Sequence, residues 1–360
     1  MTKSFSSSRR RLLKGALYAT PVLAAPYLLG QKAAASPRLV VRSLGGAYEA
    51  AAKEHFYDPF SEETGIDIEL VPATSGKLLA MLRSGNVDID VFDIGEVEVS
   101  QFTRLDLLEP IAYDKWSSVK KEDLDSEALL EFAVGHGYYA AILGVNTAAV
   151  SADKMPRSWS DFWNAEAFPG PRMLADMASG YVDLEQALLA DGVSPAQLYP
   201  LDVDRAFASL TRIRPHIRKF WDTGALSAQM LADQEAVMGT IWNTRLQAAK
   251  DGGAPLDIVW DGGLLRMQCW ATAKGGPNSE HAQRFIEFAL SPERQAALCA
   301  RVPNGPSNKK AFDHMEPSRA ALMPNSPDHR SKMIHQDVGW WLENRDTVAS
   351  TWSKWLLANR

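Results

Sequence analysis

The chain has 360 residues, 46% hydrophobic and 23% charged, enough for two globular domains of ordinary composition. Its formal net charge of −6 argues against nucleic acid or an anionic membrane as partner. Two cysteines do not make a disulfide scaffold; a single bridge or two buried thiols are the readings left open for Cys269 and Cys299.

The first segment is an address rather than a fold. Ser8-Arg9-Arg10-Arg11-Leu12-Leu13-Lys14 precedes a mildly apolar run from Gly15 to Gly30, and Ala33-Ala34-Ala35 closes it. A charged start, a short apolar stretch and a small-x-small end are the parts of an export signal. Paired arginines ahead of Leu-Leu-Lys point to the twin-arginine route and a periplasmic destination. The run contains Pro21 and Pro26 and falls short of the ~20 residues that span a bilayer. No cysteine follows it to carry a lipid. Residues 1–35 are therefore set aside as a signal peptide, with the mature chain starting near Ser36. They hold six basic side chains and no acid, so the remainder carries −12.

After the signal, Arg38-Leu39-Val40-Val41 reads as a buried strand. Gly45-Gly46 makes a turn, and a helix through Phe56 and Phe60 ends at Thr64-Gly65, where glycine suits a left-handed cap. Ile66 to Val71 is a strand, Ser75 to Arg83 a helix closed by Gly85, and Asp90 to Ile94 a strand. This β-α-β-α-β rhythm predicts a mainly parallel sheet covered by helices. A second region opens at Tyr138, whose apolar run to Val145 is long for one strand. Trp159–Phe168, Asp183–Ala190 and Val203–Ile213 read as helices; Arg172–Ala175, Ala236–Trp242 and Leu256–Trp260 as strands. A helix pair spans Ser279–Leu290 and Pro292–Ala300. The closing tryptophans Trp340, Trp341, Trp352 and Trp355 suit a helix packing onto the body.

Several chemistries have no motif here. There is no Gly-x-Ser-x-Gly elbow. The seven histidines never take the spacing of a zinc protease. Ser75-Gly76-Lys77 lacks the upstream glycine of a phosphate loop. Gly135-His136-Gly137-Tyr138-Tyr139-Ala140 formally matches a dinucleotide fingerprint, but it precedes a strand instead of following one. No catalytic residue, metal site or cofactor is expected; a secreted enzyme remains the alternative class.

Six segments in a fixed order carry a resemblance. They are Gly45-Gly46-Ala47-Tyr48 with the following Phe60-Ser61-Glu62-Glu63-Thr64-Gly65-Ile66; Asp90-Val91-Phe92-Asp93; Leu107-Leu108-Glu109-Pro110-Ile111; Ser158-Trp159-Ser160-Asp161-Phe162-Trp163; Gly239-Thr240-Ile241-Trp242-Asn243; and Pro303-Asn304-Gly305-Pro306. Together they resemble the extracellular solute-binding proteins of ABC importers, in the branch that contains the spermidine- and putrescine-binding proteins. The resemblance implies an α/β, two-lobe periplasmic binding protein fold (type II), with mixed, mostly parallel sheets and the ligand cleft between lobes. Lobe 1 would comprise residues 36–140 plus about 270–310, and lobe 2 about 141–269 plus 311–360. The chain would cross between them near Tyr139 to Val145 and near Gln268 to Ala273. The partners implied are a small-molecule solute and an ABC permease in the inner membrane, and a monomer is expected.

The same resemblance implies site residues. Trp242 and Asn243 match the family's cleft tryptophan and asparagine. Tyr48 lies where relatives place an aromatic, and Asp176 where they have acidic contacts. Tyr138, Thr223 and Ser227 lie on segments that face the cleft. Aromatic faces and carboxylates suit a polyamine-like cation. Against each stands a structural role: Trp242 in the core, Tyr48 in a surface turn, Asp176 as a helix N-cap. One stretch departs from the family. Arg266 and Gln268 occupy the positions at which polyamine binders carry a tryptophan and an aspartate. With Arg245 near Trp242, that change suits a small carboxylate- or phosphonate-bearing solute, unless Arg266 is salt-bridged to a structural acid.

Overall fold

Short apolar runs make the strands, and two of those strands are long enough to join everything else. A computed structural model describes residues 37–43 and 45–359; the export signal expected over residues 1–35 lies outside the described residues. The strands are β1 Arg38–Ser43, β2 Asp67–Pro72, β3 Val91–Gly95, β4 Val134–Asn146, β5 Arg172–Ala175, β6 Ile217–Trp221, β7 Met238–Trp242 and β8 Leu256–Thr272, with the two-residue β9 Gly305–Pro306 and β10 Ile334–His335. They form one sheet in the order β2-β1-β3-β8-β4-β7-β5-β6; β9 adds to β4 and β10 to β8.

The ends of this sheet are parallel and its middle is antiparallel. β1 runs parallel to β2 and β3, and β5 runs parallel to β6 and β7. β4 and β8 are antiparallel to each other and to β7 and β3 respectively. β8 is where the sequence reading changes most. Leu256–Trp260 and the stretch near Gln268 belong to a single strand of 17 residues. The turn signal Gly262-Gly263 does not end it. Gly262 sits at φ +67°, and the β4–β8 register shifts between Ala141↔Leu264 and Leu143↔Val259. A bulge of this kind keeps the pairing while re-aiming the side chains that follow. The Trp159 indole N–H donates to the Gly262 carbonyl at 2.8 Å and pins it.

Helices fall close to expectation. The first runs from Gly46 to Thr64 with a π turn over Lys53–Tyr57, and ends on Gly65 at φ 72°. Helices Ser75–Ser84, Leu184–Ala190, Val203–Ile213, Ser279–Ala289 and Pro292–Arg301 follow the sequence reading. The helix expected over 159–168 is shorter and spans Trp159–Trp163. Asn164 ends it: its side-chain oxygen accepts the Ala167 amide at 3.1 Å, an alternative to the helical ladder. The C-terminal helix Val338–Ala358 buries Trp341, Trp352 and Trp355, with Trp352 edge-on to Phe220 at 5.1 Å. Cys269 and Cys299 are both buried and free, and burial raises both thiols above their ordinary range.

Two buried acids sit behind β5 and β7. Asp183 accepts the Ala175 amide at 2.7 Å and the Thr240 hydroxyl at 3.1 Å. Glu185 accepts the Tyr199 hydroxyl at 2.6 Å and the Trp341 indole at 2.7 Å. Burial raises both carboxyls, that of Asp183 to about 7. A folded-state value above the unfolded one means that the unfolded chain loses its proton first as pH rises. Stability from this group is therefore present below about pH 4 and drains away towards pH 7. Asp183→Asn removes the titration. Denaturant unfolding at pH 4.5 and pH 8 should show the variant losing less on the upward step than the parent, by roughly 2–4 kcal/mol. Equal losses in both proteins would remove Asp183 as the source.

Candidate functional site

A cavity of about 660 Å³ opens beside the carboxyl ends of the parallel strands. Chain segments leaving four of them supply its walls. Gly45, Ala47 and Tyr48 follow β1, and Val97 and Glu98 follow β3. Ser179 and Gly180 follow β5, while Thr244 and Arg245 follow β7. The antiparallel middle adds Tyr139 from β4 and Arg266 with Gln268 from β8. The carboxyl ends of an open α/β sheet are where ligands gather, because successive connections part there and leave a crevice.

Arg266 stands out electrostatically. It is a cross-strand partner of Tyr139, and its guanidinium carbon lies 5.7 Å from the Tyr139 ring and 5.9 Å from the Trp242 ring. Trp242 is itself wedged among Tyr139 at 5.5 Å, Tyr181 at 5.5 Å and Trp221 at 5.8 Å. Among the described residues Arg266 forms no ion pair and its guanidinium donates no hydrogen bond, so the structural salt bridge weighed above is absent. Burial pulls its pKa down, but Tyr139 and the carboxylates of Glu96, Glu98 and Glu185 outweigh that and raise it. It is a fixed cation with unused donors. Arg245, Arg301 and Arg345 also line the cavity, against only Glu98 and Asp251 among acids. Glu98 is partly occupied, accepting the Gly95 amide at 2.8 Å and the Ser75 hydroxyl. The wall is net positive and can hold an anionic group bidentately.

Of the ten residues singled out from sequence, the cavity gathers Tyr48, Trp242, Arg245, Arg266 and Gln268. The other five do not line it. Tyr138 projects from the opposite face of β4, under the Arg330 guanidinium at 5.5 Å, because alternate strand residues face opposite ways. Asp176 caps a short turn, accepting the Ala178 amide at 2.8 Å. Thr223 caps the helix Gly224–Ala232, and buried Ser227 donates back to the Gly224 carbonyl at 2.9 Å. Asn243 is buried and braces the site from behind: it accepts the Ala140 amide at 2.9 Å and donates to the Pro303 carbonyl at 2.8 Å. Tyr139, Glu98, Arg301 and Arg345 were not anticipated. Tyr139 was reachable from the register with Arg266, and Glu98 from its place just after a strand. Nothing local marks Arg345, which arrives on the distant C-terminal helix.

Comparison with known proteins fits this geometry. The sequence profile of the family described as "Bacterial extracellular solute-binding protein" matches residues 55–325. A gamma-aminobutyric acid-binding protein of Pseudomonas aeruginosa is 30% identical over 329 residues, 89% of this chain and 92% of that protein. A spermidine/putrescine-binding periplasmic protein of Salmonella typhimurium is 26% identical over 298 residues, 78% of this chain and 83% of that one. Among solved structures, the Atu4243–GABA receptor is 32% identical with a TM-score of 0.80, covering 88% of this chain and 97% of its own.

Two arginines make contrasting stability predictions. Arg172 is fully buried and donates to the carbonyls of Phe162 at 2.7 Å, Gly170 at 2.5 Å and Phe168. Arg172→Met strands those acceptors and should cost about 2–5 kcal/mol in denaturant unfolding. Arg266→Met should leave the ligand-free protein unchanged or more stable, since the guanidinium satisfies no protein acceptor. A large loss from Arg266→Met would make it a structural residue.

Proposed function

This chain belongs to the bacterial extracellular solute-binding proteins, and on that premise we propose that it captures a small amino-acid-like zwitterion, of the 4-aminobutyrate kind, through its carboxylate. It is the substrate-binding component of an ABC transporter and not an enzyme. Delivery to the inner-membrane permease, from the periplasm after twin-arginine export, completes the reading. The residues following β1 and β3 would belong to one lobe and those following β5 and β7 to the other. A solute touching both favours the closed arrangement by its higher affinity for it.

The observation that carries the reading is the seat of Arg266. An aromatic cage is the usual way to hold an ammonium ion. Here Tyr139 and Trp242 already face a cation that the protein supplies. A second cation in that seat would meet like charge, whereas a carboxylate meets unused guanidinium donors. Similarity to two proteins named for gamma-aminobutyric acid supports the same class. A polyamine is the second reading, favoured by the aromatic wall and by likeness to the spermidine/putrescine binders.

Titration calorimetry separates the two. We expect 4-aminobutyrate to bind more tightly than putrescine or spermidine, and Arg266→Ala to weaken it tenfold or more, the loss of roughly 1.5–3 kcal/mol from a charge-assisted hydrogen bond. Tighter binding of putrescine, or unchanged affinity in Arg266→Ala, would overturn the carboxylate reading.

A further inference from the structure

The Gly135-His136-Gly137 stretch, which the dinucleotide reading could not use, has a role in this fold. It lies inside β4, where the pairing with β8 shifts register between Gly135 and Gly137. A side chain at Gly135 would collide with Met267, its Cβ falling 2.1 Å from the sulfur. The bulge leaves His136 without a partner residue on β8, and its ring stacks on Trp270 at 4.2 Å. There its Nε2 meets Asp93 Oδ1 at 2.9 Å, with both side chains almost fully buried. Its other nitrogen, Nδ1, lies 3.3 Å from the hydroxyl of Tyr48, which lines the cavity.

Donor and acceptor roles follow from this chain of contacts. An aspartate carboxylate only accepts, so Nε2 carries the hydrogen. With the imidazole neutral, Nδ1 is bare and the Tyr48 hydroxyl donates to it. We propose that Asp93 and His136 are positioning residues for Tyr48. They turn its hydroxyl hydrogen away from the cavity and leave the phenolic oxygen on the wall as an acceptor for the solute's ammonium. The inference rests on the zwitterion reading and adds its second half: Arg266 takes the carboxylate, and Tyr48 takes the amine.

Two measurements test it. NMR of the ligand-free protein with ¹⁵N-labelled histidine, at pH 7.5, should show His136 as the Nε2–H tautomer with Nδ1 accepting. An Nδ1–H tautomer or an imidazolium would overturn the relay, whatever the solute. Calorimetry should show Tyr48→Phe and Asp93→Asn weakening 4-aminobutyrate about tenfold, while butyrate, which lacks the amine, changes less than twofold. Equal weakening of both ligands would also overturn it. Tyr48→Phe removes one oxygen from a cavity wall and so keeps the test open if Asp93→Asn fails to fold. A parent protein that binds no 4-aminobutyrate would sink the zwitterion reading, and the tautomer would still decide the relay.

Discussion

A guanidinium held against two aromatic rings, with no carboxylate paired to it among the described residues, is the constraint around which the cavity is organised. Arg266 needs a strand to carry it, and that strand must reach the middle of the sheet. β8 does so by running 17 residues and tolerating a bulge at Gly262-Gly263. Glu96, Glu98 and Glu185 keep the charge in place from a distance. None of them closes on it as an ion pair, so its directional donors stay available. A direct pair would have satisfied the group and removed it from recognition.

The stabilising polar groups sit elsewhere. Arg172 spends its donors on three carbonyls, and Asn243 ties β4 to the Pro303 loop. Both are buried and hydrogen-bonded, and neither lines the cavity. The same residue type thus has opposite fates in one chain: an arginine fully used by the backbone, and an arginine kept idle beside an open volume. Local satisfaction separates the two better than residue identity does.

Much of the fold was legible because its signals are local. Alternating or continuous apolar runs marked the strands, and Gly65 and Gly85 stopped helices where left-handed caps form. The single sheet was not legible, because the strand read over Leu256–Trp260 stops short of Gly262-Gly263, and only the pairing with β4 carries the chain on through a bulge. For the site, the family resemblance pointed to Tyr48 and Trp242, and the departure from its pattern exposed Arg266 and Gln268, with Arg245 beside Trp242. Tyr138 and Tyr139 differ only in phase: one residue along β4 changes the face, and the pairing of Tyr139 with Arg266 sets which one meets the cavity. Asp176 and Thr223 are the polar residues that end up capping backbone amides, a role their sequence context equally allows.

The two cysteines carry a consequence for where this protein can be made. Cys269 and Cys299 are separate, buried and held in the thiol form. The fold therefore closes without a covalent crosslink, and no step towards it needs an oxidant. A chain with this property reaches the same structure in a reducing cytosol as in an oxidising space outside it. Where the chain folds therefore places no demand on redox chemistry.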